Sequence, residues 1–104
     1  MIASRYTPID GADGTQVATL GGTTDLLSDL VTIPSGAAQA RVQGAGNAEF
    51  AYRLDGSVGE GPAACLRATE LTLANGASIQ GAAVCSSGGA TQVVVQFFRG
   101  AIGP

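Results

Sequence analysis

Thr91-Gln92-Val93-Val94-Val95-Gln96-Phe97-Phe98-Arg99 is the most apolar stretch of this 104-residue chain. Val94 has Val on both sides and two Phe follow, so both faces of one strand carry apolar side chains. Such a segment suits a central strand, or one covered on its second face by a partner. As a bare edge it would be an aggregation hazard.

Working outward from this strand, sixteen Gly and four Pro punctuate the chain at short intervals. The segments between them have β character. Gln16–Leu20, Ser28–Ile33, Gln39–Gln43, Glu49–Leu54, Leu66–Leu73 and Ser78–Val84 join Thr91–Arg99 to make about seven short strands. Asp25–Leu30 is the best helical candidate, but it is six residues long and leads into Val31-Thr32-Ile33-Pro34, so Ser28–Ile33 is taken as a strand ending at that Pro. Regular short strands without intervening helices predict an all-β chain, a single antiparallel β-sandwich of jelly-roll or Greek-key type. The sandwich is expected over residues 15–104. Residues 1–14, with Pro8, Gly11 and Gly14, are expected to be an N-terminal arm reaching a neighbour.

One hairpin is expected between the Leu71–Leu73 strand and the strand that holds Ile79 and Ala83. A two-residue Asn75-Gly76 turn would set apolar residues opposite polar ones. A three-residue loop, Ala74-Asn75-Gly76, pairs Leu71 with Ile79 instead and sets Cys65 across from Cys85. Two structural readings of the cysteines stay open: small buried hydrophobes in a reducing cytoplasm, or a cross-strand disulfide formed after release from the cell. A reactive or metal-binding thiol is the third.

Only 12% of the residues are charged, where an ordinary soluble domain carries about 25%. There is no Lys and no His, and the five cations are Arg5, Arg41, Arg53, Arg67 and Arg99. So little charge builds a poor solvated skin, which points to a surface that faces other protein. The core must also be thin, since eighteen residues are Ala and only three are Phe. Net charge is −3, and scattered single Arg do not make a phosphate-binding footprint, so nucleic acid is not an expected partner. No segment approaches the ~20 apolar residues of a membrane span. Met1–Pro8 has neither a charged start nor an apolar run, so synthesis in a cytoplasm without a signal peptide is expected.

Reaction chemistry is scarce. No His stands ready as base for a Ser or Cys nucleophile, and Gly56-Ser57-Val58-Gly59 falls short of a nucleophile elbow. Gly44-Ala45-Gly46 and Gly59-Glu60-Gly61 lack the Lys of a phosphate loop. Asp10 and Asp13 beside Gly11 and Gly14 faintly resemble the start of a calcium loop, but the Glu that should follow is missing and turn chemistry explains them. Asp25, Asp29, Glu49, Asp55, Glu60 and Glu70 have no Trp, and only Tyr6 and Tyr52, to form a sugar platform. No catalytic, cofactor or metal site is expected. Arg53 and Asp55 flank Leu54 and share a strand face, either as a solvated strand end or as an ion pair setting the register between subunits.

Ile33-Pro34-Ser35-Gly36-Ala37, then Ala40-Arg41-Val42, then Tyr52-Arg53-Leu54-Asp55-Gly56 follow one another as blocks. A glycine-rich stretch at Gly59–Gly61, Leu71-Thr72-Leu73 and the Val-rich closing strand come after them. Over residues 28–99 this order resembles a group of small β-sandwich proteins encoded among the structural genes of tailed bacteriophages. The chain departs from that group in Ser57-Val58-Gly59-Glu60-Gly61-Pro62, which stands where Thr-x-Pro-Thr is usual, and in its pair of cysteines. The resemblance implies a non-enzymatic virion protein without cofactors, assembled in the host bacterial cytoplasm. The favoured role is a capsid cement or decoration protein that binds the major capsid protein as a homo-oligomer, with a trimer preferred. A head–tail connector, neck or tail accessory is the alternative, and a carbohydrate- or adhesin-like binding module ranks third. Tyr6, Ile9, Arg53, Asp55, Val93, Val95, Phe97 and Phe98 are the expected assembly contacts.

Overall fold

The strands of the computed structural model, which describes residues 4–102, close around the predicted C-terminal strand. In chain order they are β1 (Ser4–Pro8), β2 (Thr15–Thr19), β3 (Asp25–Leu26), β4 (Ala37–Gly44), β5 (Phe50–Arg53), β6 (Leu66–Ala68), β7 (Glu70–Leu73), β8 (Ala83–Ser86) and β9 (Gln92–Ile102). Two short helices, α1 (Leu27–Leu30) and α2 (Gly76–Gly81), lie between strands.

All pairings are antiparallel. The ladders β5·β6, β4·β7, β3·β8 and β2·β9 are those of one long hairpin, with its tip between β5 and β6. The hairpin rolls up when β9 also pairs β4 and β8 also pairs β5. Two facing sheets result: a five-stranded one in which β1 and β2 both pair β9, followed by β4 and β7, and a four-stranded one in the order β3-β8-β5-β6. Leaving β1 aside, the eight strands β2–β9 follow the jelly roll, and the expected all-β sandwich is what the chain forms.

β9 sits inside the first sheet, and its alternation is resolved accordingly. Val93, Val95 and Phe97 are fully buried toward the second sheet, where they meet Phe50, Val84 and Leu27, with Ile79 and Leu73 completing the core. Phe50 and Tyr52 add a tilted ring pair at 6.1 Å. Val94, Gln96 and Phe98 project to the other face of the sheet. Three of the expected assembly contacts, Val93, Val95 and Phe97, are therefore corrected to core residues of their own chain.

Residues 4–14 are corrected as well. They do not stand off as an arm, because β1 pairs β9 from Pro8↔Phe98 to Ser4↔Ile102, in line with β2 along the same edge. Residues 1–3 of the expected arm lie outside the described residues. Between β1 and β2 the chain makes a six-residue excursion that leaves and rejoins at one residue: Ile9 donates its N–H to the Phe97 carbonyl (3.0 Å), and the Phe97 N–H donates to Gly14 (2.7 Å). Only Gly fits at position 14, since a Cβ there would lie 1.6 Å from the Ile9 carbonyl oxygen. The excursion turns the Ile9 side chain into the core, so Ile9 too is corrected from contact to core. Gly11, at φ +84°, supplies the left-handed turn that brings the chain back, and Asp10 and Asp13 are exposed beside it.

Three expected strands differ. Ser28–Ile33 is not a strand: Leu27–Leu30 is one helical turn, with the Val31 N–H bonded to Leu27 at 3.0 Å, and both Leu27 and Val31 are buried. Leu66–Leu73 is two strands in different sheets, split at Thr69, whose carbonyl instead accepts from Gly44 (3.0 Å). Ser78–Val84 begins in α2, because the Asn75 side chain caps that helix by accepting from the Ser78 N–H at 2.9 Å. The expected hairpin is thus absent: β7 pairs β4 and β8 pairs β5.

Phe97→Ala should cost about 3–5 kcal/mol, because it empties the fully buried centre of a thin core. Urea denaturation should show the midpoint falling with the slope unchanged.

Candidate functional site

The two outer faces of the sandwich are treated differently. On the second sheet, Phe50 and Tyr52 face the core, so Ala51, Arg53 and their partners Cys85 and Ala83 face outward. Yet Ala51, Ala83 and Cys85 are fully buried. The cover is the long β5–β6 connection, residues 54–65, which folds back over this face. Thr24 holds it there with four hydrogen bonds. Its N–H donates to the Glu60 carbonyl (2.8 Å), and its carbonyl accepts from Gly59 (2.8 Å). Its hydroxyl donates to Ser57 (2.8 Å) and accepts from the Glu60 N–H (3.0 Å). A further bond runs from the Gly56 N–H to Gly81 (2.8 Å). Thr24 is buried, and no signal in its neighbourhood, Gly21-Gly22-Thr23-Thr24-Asp25, sets it apart from ordinary loop residues.

Where this connection leaves and rejoins the sheet it walls an open notch of about 440 Å³, lined by Tyr52, Arg53, Leu54, Asp55, Ala64 and Leu66. Arg53 spans its floor. It grips Asp55 with both arms, Nη2 to Oδ2 at 2.6 Å and Nε to Oδ1 at 3.2 Å, and donates Nη1 to the Ala64 carbonyl at 2.7 Å. The Ser57 N–H adds a bond to Asp55 Oδ1 (3.1 Å). The Arg53 guanidinium, seconded by Ser57, holds the Asp55 carboxyl well below the usual carboxylate range. Arg53 and Asp55 are therefore brought together within one chain, where they lock the start and end of the connection. Leu54 and Leu66, the latter 62% exposed, form the apolar rim.

Among the described residues, the outer face of the first sheet has no such cover. The register places Tyr6 and Pro8 of β1, Thr15 and Val17 of β2, and Val94, Gln96 and Phe98 of β9 on this face, with Arg41 and Gln43 of β4 beside them. Tyr6 and Val17 are exposed, at 45% and 58%. Phe98 is sheltered by its neighbours, with the Arg41 guanidinium 5.6 Å above its ring. A shallow groove of about 330 Å³ runs between Pro8, Thr15, Arg41, Gln43, Val94, Gln96 and Phe98. Of the eight expected contacts, only Tyr6 and Phe98 lie on this face; the side chain of Val17, not singled out from the sequence, joins them.

Three of the arginines pair with carboxylates of their own chain. Arg41 reaches Glu70 (3.7 Å), Arg67 reaches Glu49 (3.8 Å), and Arg53 reaches Asp55. The first two are half-exposed pairs across neighbouring strands and contribute little to stability. Among the described residues no three His, Cys, Asp or Glu gather as a metal-binding group, and no helix is long and apolar enough to cross a membrane. No known protein family, curated protein or solved structure matches the chain.

Thr24→Val keeps the side-chain shape but strands the Glu60 N–H and the Ser57 carbonyl, a loss of about 1–3 kcal/mol. Hydrogen exchange should show the Gly59 and Glu60 amides losing protection while β9 keeps its own. For Asp55 the lowered carboxyl sets the sign: its stabilising pair is complete above the unfolded carboxyl value near ~4 and is lost as pH falls below it. The melting temperature of the wild type should exceed that of Asp55→Asn by a constant margin above about pH 5, and the margin should narrow toward pH 2.

Proposed function

We propose that this chain is a non-enzymatic structural protein of a tailed-bacteriophage virion, a capsid cement or decoration protein that docks on the major capsid protein. The observation that carries the reading is the uncovered outer face of the β2-β9-β4-β7 sheet, with Tyr6, Val17, Val94 and Phe98 on it, in a chain only 12% charged. Such a chain has the opposite face closed by its own loop and this one left to a partner. Jelly rolls are common among viral shell proteins, which supports the reading by analogy of fold alone. The order of sequence blocks that resembles phage β-sandwich proteins supports it independently.

The mechanism is mass action on a lattice. A protein that binds only the assembled, expanded shell stabilises that state by its binding free energy, summed over many copies. Presentation as a homo-oligomer, a trimer by preference, multiplies the effect, since each further contact is made at high effective concentration. Partly hydrated apolar contact with few charges suits a docking site that must close on a repeating surface without discriminating among sequence-identical copies.

Quantitative mass spectrometry of purified virions tests this reading. Hundreds of copies per particle are expected, and particles stripped of the protein should burst at a lower temperature. Val17→Asp should fold normally yet fail to rebind stripped particles. Three, six or twelve copies would assign the chain to a ring in the neck or tail, and absence from the virion would overturn the proposal.

A further inference from the structure

We propose that Asn75 is a self-modification site: its side-chain amide is lost to attack by the Gly76 backbone nitrogen whenever the first turn of α2 opens. An Asp or Asn stands before Gly four times, at Asp10-Gly11, Asp13-Gly14, Asp55-Gly56 and Asn75-Gly76. In three of these the fold itself demands the glycine. Gly11 and Gly56 have φ of +84° and +74°, and a Cβ at Gly14 would strike the Ile9 carbonyl. Gly76 differs. Its φ lies outside the left-handed region, and a Cβ there would meet nothing within 4 Å. Neither its backbone nor its surroundings require glycine, and a missing side chain leaves its peptide nitrogen unshielded beside the Asn75 amide. Asn75, Gly76 and Ala77 are all exposed, so water reaches the site.

The reaction needs only water. The Gly76 nitrogen gives its proton to solvent base and bonds to the Asn75 Cγ, while the Cγ–Nδ2 bond breaks and ammonia leaves with a proton from solvent. The product is a five-membered succinimide. Water then opens it, at Cγ to give aspartate or at the backbone carbonyl carbon to give isoaspartate. In sum one amide and one water become one carboxylic acid and one ammonia, with no change of oxidation state. The rate rises with pH, because the attacking nitrogen must shed its proton.

The folded chain restrains this step in two ways. Asn75 Oδ1 accepts from the Ser78 N–H at 2.9 Å, which holds the side chain over the helix. A planar succinimide also needs Cβ and the Gly76 nitrogen eclipsed about the Cα–C bond, and the extended ψ of 172° keeps them apart. Attack therefore waits for the first turn to open, and a helix of six residues opens readily. The two products then diverge. Aspartate still caps α2 and adds a negative charge at its N-terminal end, where charge of that sign is favoured. Isoaspartate runs the backbone through Cβ, so the cap on Ser78 is lost. The same helix carries Ile79 into the core, and its Gly81 carbonyl accepts from the Gly56 N–H at 2.8 Å. Isoaspartate at 75 thus loosens the start of the 54–65 connection. None of this depends on the virion reading.

Ageing the folded protein at pH 8, with peptide mapping by mass spectrometry and enzymatic methyl labelling of isoaspartate, tests the proposal. Conversion should fall on Asn75 and spare Asn47, the other Asn of the chain, which precedes Ala48. It should run slower than in urea, by the same factor that protects the Ser78 amide from hydrogen exchange. Aged protein should show faster exchange at Gly56. Gly76→Ala, which the open space accommodates, should melt like the wild type and keep its amide. A folded protein that keeps its amide through roughly a hundred half-lives of the unfolded chain would overturn the proposal. Equal rates with and without urea, or a Gly76→Ala variant that converts as fast as the wild type, would do the same.

Discussion

Every other feature of the sandwich depends on the double ladder of β9. Eleven residues long, it spans about 36 Å at 3.3 Å per residue. On one edge it carries β1 and β2 end to end, and on the other it carries β4. Phe97 is where these constraints meet. Its side chain fills the core, while its backbone N–H and carbonyl bind the two ends of the Ile9–Gly14 excursion. Without that junction β1 and β2 could not share one edge in register, and Ile9 would have no reason to turn inward.

The first and second sheets show how a thin, Ala-rich chain handles its second faces. Small residues, Ala51, Ala83 and Cys85, leave the outer side of the β3-β8-β5-β6 sheet low enough for a loop to lie flat on it. A flat loop has backbone groups that must be paired, and Thr24 pairs four of them with its own N–H, carbonyl and hydroxyl. The other sheet carries larger side chains outward, Tyr6, Val17, Val94 and Phe98, and no segment among the described residues folds over them. Small outward side chains thus let one face be closed by the chain itself, while among the described residues the other stays open.

Much of the β architecture was legible because alternation is a local signal. The apolar run at 91–99 marked the central strand, Gln39–Gln43 and Glu49–Leu54 found their strands to within two residues, and the near absence of helical period ruled out other classes. The sites were less legible. Apolar character marked Val93, Val95 and Phe97 as important without saying that their own chain would cover them. Asn75-Gly76 carries the same letters whether it turns a hairpin or caps a helix, and only the packing of Ile79 in the core selects the cap. Thr24 had no local signature at all, since its partners Ser57, Gly59 and Glu60 are more than thirty residues away.

The sequence by itself determined that this chain is a β-protein short of charge and which side chains of its last strand alternate. These follow from composition and from a period of two that neighbouring residues share. The tertiary structure alone decided that Leu66–Leu73 divides between two sheets, that Arg53 spends its charge on Asp55, and that Thr24 anchors the connection at Ser57, Gly59 and Glu60. Each of these rests on a pairing choice made across the rolled hairpin. A strand's own residues specify that it will pair and which face it buries, but the identity of its neighbour is settled only when the whole apolar surface is buried at once.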